Sequence, residues 1–133
     1  MFTKDHLIFS YTRAQAIADG VLVAVPDEIR QEAGFRVPVA MTETVFRDCV
    51  EWSIEDTERR QVAQDQEGRL WDVLAMARFA AVGSPNQSRI EFDLLRVPRE
   101  GRGHMPRKVR LVSMIHEGDN GEPVITVMFP NED

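Results

Sequence analysis

The last third of the chain changes hydrophobic period, and that change limits what the chain can fold into. Ile90-Glu91-Phe92-Asp93-Leu94 alternates strictly. Lys108 to His116 also alternates, with Val109, Leu111, Ser113 and Ile115 interleaved with Arg110, Val112, Met114 and His116. A period of two puts successive side chains on opposite faces of a sheet, so both runs predict half-buried strands. Asp119-Asn120-Gly121-Glu122 then carries Asn-Gly, the signal of a type I′ hairpin turn, which needs positive φ at two residues. Val124 to Phe129 predicts a third strand, closed by Pro130. The three together predict an antiparallel meander.

Upstream the period is helical. Thr12 and Gln15 form a capping box, each satisfying an orphan amide of a first turn, and Gly20 is placed to end that short helix. Val21 to Val25 predicts a buried strand stopped by Pro26, and Asp27 to Ala33 a brief helix terminated by Gly34. Arg36 to Ala40 reads as an extended connector. Thr42 is expected to cap an amphipathic helix, with Met41 and Phe46 as a hydrophobic staple and Val45, Cys49, Val50 and Ile54 on one face. A turn is expected at Glu67-Gly68. Leu70 to Val82 is apolar almost all round, as a helix in the middle of a fold should be, and Gly83 and Pro85 end it. The expected fold class is therefore α+β: N-terminal short helices and one strand, a central buried helix, and a C-terminal three-stranded antiparallel meander. The 133 residues suit one domain.

Composition excludes several classes of protein. With 43% hydrophobic and 29% charged residues the chain is globular rather than disordered. The longest apolar run, around Val73 to Val82, is interrupted by Arg78 and falls far short of the ~20 residues of a membrane span, so no membrane partner is expected. MFTKDHLIFS carries charges where a signal peptide has its apolar region, and Cys49 is the one cysteine; both point to the cytoplasm.

The formal net charge of −6 argues against nucleic-acid binding, but its distribution cancels that objection. Residues 96–110 hold Arg96, Arg99, Arg102, Arg107, Lys108 and Arg110 against one acid, Glu100, a local +5 that leaves −11 elsewhere. Screening over ~8 Å keeps these two regions distinct. If the two alternating runs pair, REGRGHMP becomes their connecting loop, and Arg99, Arg102, His104, Arg107 and Lys108 become candidates for contact with nucleic-acid phosphate or an acidic protein surface. Three phosphate contacts would give a slope of log affinity against log salt near about −2.7. The bland alternative is a solvated loop balancing Glu91 and Asp93.

No catalytic motif stands out. His104 beside cations would favour the neutral form a general base needs, whereas His116 should sit at the other end of its strand. His6 is the third histidine. No HxH, HExxH or CxxC occurs, and Gly101 with Gly103 is only a fragment of a phosphate loop, so no metal or cofactor is expected. Cys49 reads as a small buried hydrophobe, and Trp52 and Trp71 as packing residues. Asp72, on an otherwise apolar helix, needs a partner, and Arg69 three residues earlier is the simplest one.

YTRAQAIADGVLV, AGFRVPVAMTETVFRDCV, QEGRLWDVLAMARFAA, LLRVPREGR and GDNGEPVITVMFPNED together resemble a family of short bacterial proteins of unknown function found on plasmids and integrated mobile elements. The resemblance spans about Tyr11 to Asp133 and implies an accessory protein of the bacterial cytosol, with no catalytic residues to transfer. VITVMFP is also similar to the last strand of small ribonuclease-fold toxins, onto which His104, Arg107, Arg110, His116 and Thr126 would map. The start of the chain is similar to that of ADP-ribosyltransferase-like folds, onto which only Tyr11 and Glu122 map. Three functions are thereby expected: a binding module using the basic hairpin loop, a small ribonuclease-like enzyme using His104 or His116, or an inhibitory protein partner that binds no nucleic acid.

Overall fold

The computed structural model describes residues 11–101 and 103–132. In chain order they form α1 (Arg13–Ala18), β1 (Leu22–Ala24), α2 (Asp27–Glu32), β2 (Val39–Thr42), α3 (Glu43–Val45) running into a π-helical turn (Phe46–Val50), and α4 (Ile54–Arg60). Then come α5 (Gln66–Gly83), β3 (Arg89–Arg96), β4 (Arg107–Glu117), β5 (Pro123–Met128) and a 3₁₀ turn (Pro130–Glu132). The fold is α+β on one mixed five-stranded sheet, ordered β1-β2-β5-β4-β3. The expected meander is its larger part, antiparallel throughout, with Ile90 opposite Ser113 and His116 opposite Val124.

The first helix forms as its capping box dictates, with Thr12 and Gln15 exchanging bonds of 3.0 Å and Gly20 at φ +78°. The structure departs from the sequence expectations at four places. Val39 to Thr42 is a strand rather than the end of a connector: it pairs parallel with β5 and antiparallel with β1. All four of its residues are buried, so no alternation marks it. The helix capped by Thr42 stops at Val50, because Glu51 N donates to Phe46 O across a π-helical turn. The extra residue in that turn shifts the phase, and Ile54 is 77% exposed, opening a new helix capped by Ser53. Glu67-Gly68 is the first turn of α5, whose Asp65 cap accepts from Gly68 N at 2.6 Å. The β4–β5 loop is not type I′: only Gly121 has positive φ, and Gly121 N closes a turn on Gly118 O.

One face of the sheet carries Val39, Met41, Phe92, Leu94, Leu111 and Val127, packed against Val45, Cys49, Val73, Leu74 and Ala77 of the helices. The helix α5 is buried on that side only. Met76, Phe79 and Val82 on its outer side are exposed, Phe79 by 77%. On the other face Ala16 of α1 packs with Leu22 and Ala40. Among the described residues no helix is long and apolar enough to cross a membrane.

Candidate functional site

The expected hairpin forms: Arg96 faces Arg107 at the last pair of β3 and β4, and residues 97–106 connect them. Half of the cations in this segment are spent inside the molecule. Arg96 grips Asp48 with Nε and Nη2 at 3.2 and 3.0 Å, the two-pronged geometry that suits guanidinium and carboxylate. Arg99 donates Nε–H to Asp56 at 2.8 Å and pairs with Glu51 at 3.1 Å. Arg110 meets Asp93, its cross-strand partner, at 3.1 Å.

Arginines of the helices hold the loop from the opposite direction. Arg59 donates to Arg99 O at 3.0 Å, Arg60 to Gly101 O, and Arg69 to Val97 O at 2.9 Å. Arg69 is 3% exposed, lies 4.6 Å over the Trp52 ring and also donates to Val50 O, Asp48 O and Gln64 Oε1. The expected pairing of Arg69 with Asp72 does not occur. Asp72 points to solvent, where a carboxylate needs no partner, and the guanidinium instead satisfies carbonyls at the ends of three segments. Arg69 is thus a structural pin between the π-helical turn, α5 and the hairpin.

Asp56 is the hub of the arrangement. Its side chain is 1% exposed and accepts from Ser53 N, Arg59 and Arg99. Burial alone would raise its pKa, but the Ser53 amide and the Arg99 guanidinium outweigh it and hold the carboxyl below its usual value. Sequence reasoning passed over Asp56 and Asp48 and assigned Arg69 to Asp72 rather than to Val50 O, Asp48 O and Val97 O. Ser53-Ile54-Glu55-Asp56 is a readable helix start, whereas pairs 43 and 48 residues apart leave no signal in spacing.

The candidate binding residues therefore separate. Arg99 is built into the protein body, and Arg102 lies outside the described residues. His104, Met105, Arg107 and Lys108 are exposed, and no described residue forms an ion pair with Arg107 or Lys108. Leu95, opposite Lys108, is 65% exposed and Met105 68%. A groove of about 530 Å³ beside them runs between α5 and β3, walled by Ala75, Met76, Leu94 and Leu95 with Asp72, Asp93 and Lys108 at its margins. A wider groove of about 950 Å³ lies at the loop root, where Arg47, Arg59 and Arg99 face Asp48, Glu51 and Glu100. Each of its arginines is already paired with an acid, so it offers no unopposed charge.

The residues considered for an enzyme are not assembled as one site. His104 is in the β3–β4 loop and His116 lies nine residues beyond Arg107 along β4, roughly 30 Å at strand rise. His116 does meet Thr126, with Nε2 at 2.8 Å from Oγ1, and Arg13 donates to the same hydroxyl at 2.7 Å. The Thr126 hydroxyl proton therefore goes to His116 Nε2, leaving Nδ1–H for Glu117 O at 3.1 Å. Burial, with Arg13 nearby, lowers the His116 pKa and keeps the ring neutral. Thr126 is fully buried, so this relay fastens α1 to the sheet and presents no nucleophile. Cys49 is likewise in the core, its thiol pushed up to about 12 by burial and by Asp48. Among the described residues no group of three His, Cys, Asp or Glu side chains is placed to hold a metal.

Comparison with curated proteins and with solved structures found no match. The model of a family of unknown function, DUF6573, matches residues 1–133, and the chain belongs to that family.

Proposed function

We propose that the chain is a protein-binding module whose β3–β4 hairpin presents Met105, Arg107 and Lys108 to an acidic surface of a partner protein. One observation carries this reading. Arg96, Arg99 and Arg110 are matched with carboxylates inside the molecule, while Arg107 and Lys108 stand exposed beside exposed Met105 and Leu95. Exposed methionine, arginine and leucine around a small unpaired charge suit a protein interface. A nucleic-acid backbone calls for more free cations than these two. The hairpin is also held by the Arg99, Arg60 and Arg69 contacts, so less conformational entropy is lost on binding. The resemblance to short proteins of bacterial plasmids and mobile elements supports an accessory role in the cytoplasm, binding a host or element protein.

The test uses the full chain, a fluorescent peptide of alternating glutamate and leucine, and a 20-base-pair duplex, each titrated across salt. Peptide binding should fall at least tenfold in the double variant Arg107→Glu, Lys108→Glu and be unchanged in His104→Ala. Duplex binding, limited to two phosphates, should follow a slope no steeper than about −1.8. A duplex slope near about −4.5 would mean that the paired arginines release their carboxylates for phosphate, and would overturn the reading.

A further inference from the structure

The strand β3 is the last of the sheet, and its outer edge is long, regular and open. Eight consecutive residue pairs join it to β4 without a bulge. Ile115 N donates to Ser88 O at 2.8 Å, which fixes the phase of the ladder. Ser88, Ile90, Phe92 and Leu94 turn their amides and carbonyls towards β4. Glu91, Asp93 and Leu95 turn theirs outward, and no described residue bonds to those backbone groups. Proteins usually blunt such an edge with proline, bulges or covering segments. Here charge guards one half, at Arg89, Glu91 and Asp93, while Leu94-Leu95 has no such guard.

Apolar surface continues from that unguarded half onto the neighbouring helix. The 530 Å³ groove between α5 and β3 is walled by Ala75, Met76, Leu94 and Leu95, with Asp72, Lys108 and the Arg110-paired Asp93 at its rim. Lys108, directly across from Leu95, is exposed on the sheet face away from α5. The geometry points to strand addition: β3 accepts an extended segment of a partner protein as a sixth, antiparallel strand. The segment's residues on the α5 side are apolar and fill the groove, and an acidic residue opposite Leu95 reaches Lys108 on the other side. Main-chain bonds to Glu91, Asp93 and Leu95 supply affinity, and the groove with Lys108 supplies selectivity. Antiparallel addition continues the β3–β4 pattern, the more stable of the two per residue. This deepens the proposed function and rests on it through Lys108, naming the form in which the acidic partner docks.

The probe is the palindromic peptide Thr-Val-Thr-Val-Glu-Val-Thr-Val-Thr, capped at both ends, titrated into the full-length isotope-labelled chain. Amide shifts should move along residues 91–95 and along α5 near Met76. Methylating the peptide's threonine and glutamate amides, which face β3, should weaken binding at least tenfold, whereas methylating the valine amides should not. Leu95→Asp and Met76→Asp should each lose at least tenfold with unchanged circular dichroism. Shifts confined to residues 104–108, or binding indifferent to both sets of methyl groups, would overturn strand addition and leave the proposed function standing. Loss on Leu95→Asp with no effect of Arg107→Glu, Lys108→Glu would keep the edge and remove the charged contact. No binding at millimolar peptide, or a dimer of the chain formed through β3 that the peptide fails to displace, would overturn the inference.

Discussion

Arg99 donates its Nε–H to the buried Asp56 carboxylate at 2.8 Å, joining the β3–β4 loop to α4 across 43 residues of sequence. The bond converts a segment that reads as a mobile cationic loop into one held against the helices. It also divides the cations of that segment between architecture and surface.

Removing the carboxylate should show the division in stability. Asp56→Asn leaves Arg99 with Glu51 alone and weakens the Ser53 cap, and should cost about 2–3 kcal/mol in urea unfolding. The double variant Arg107→Glu, Lys108→Glu should stay within about 0.5 kcal/mol of wild type. Equal costs would contradict the division. The sign with pH follows from the depressed carboxyl: the contribution of Asp56 is complete above its unfolded value, about 3.9, and is lost as pH falls through the lower folded value.

A second pH dependence belongs to His116. Its folded pKa lies below the ordinary 6.5, so the unfolded chain takes up the proton first and stability falls as pH drops below about 6.5. Thermal midpoints measured from pH 8 to pH 5 should decline in wild type and decline less in His116→Gln. Identical slopes in the two proteins would remove the Arg13–Thr126–His116 relay from the account.

Arg69 tests the role of a fork that a lysine cannot reproduce. Its guanidinium serves Val50 O, Val97 O, Asp48 O and Gln64 Oε1 at once. Arg69→Lys should therefore cost about 2–4 kcal/mol in urea unfolding, since buried carbonyls lose their donors. A cost below about 0.5 kcal/mol would show that water can serve them equally well.

Cys49 should be silent to thiol reagents in the native protein at pH 8, because its pKa is pushed up to about 12 in the core. Its rate of reaction should follow the opening of the fold as urea is added. Fast modification without urea would place the π-helical turn in a more open state.

These tests follow the line between what the sequence made legible and what it concealed. Local chemistry was readable: the Thr12–Gln15 box, the stop at Gly20 and the alternation of β3 and β4 each depend on neighbours within a few residues. Val39 to Thr42 gave no strand signal because both of its faces are covered. The phase slip at Phe46–Val50 was hidden because a π-helical turn uses the same residues as an α-helix. At the candidate site, the hairpin and its charge were visible in one dimension. Their neutralisation was not, since Asp48 and Asp56 approach Arg96 and Arg99 only through the fold.

The most direct measurement is hydrogen exchange at the arginine Nε–H groups, followed by NMR with and without the acidic peptide. The Nε–H groups of Arg69, Arg96 and Arg99 are bonded to Val50 O, Asp48 and Asp56 and should exchange slowly. Arg107 should exchange at the rate of a free side chain and slow only when the peptide is bound. If Arg99 exchanges as fast as Arg107 in the free protein, the division of the hairpin into held and presented cations is wrong.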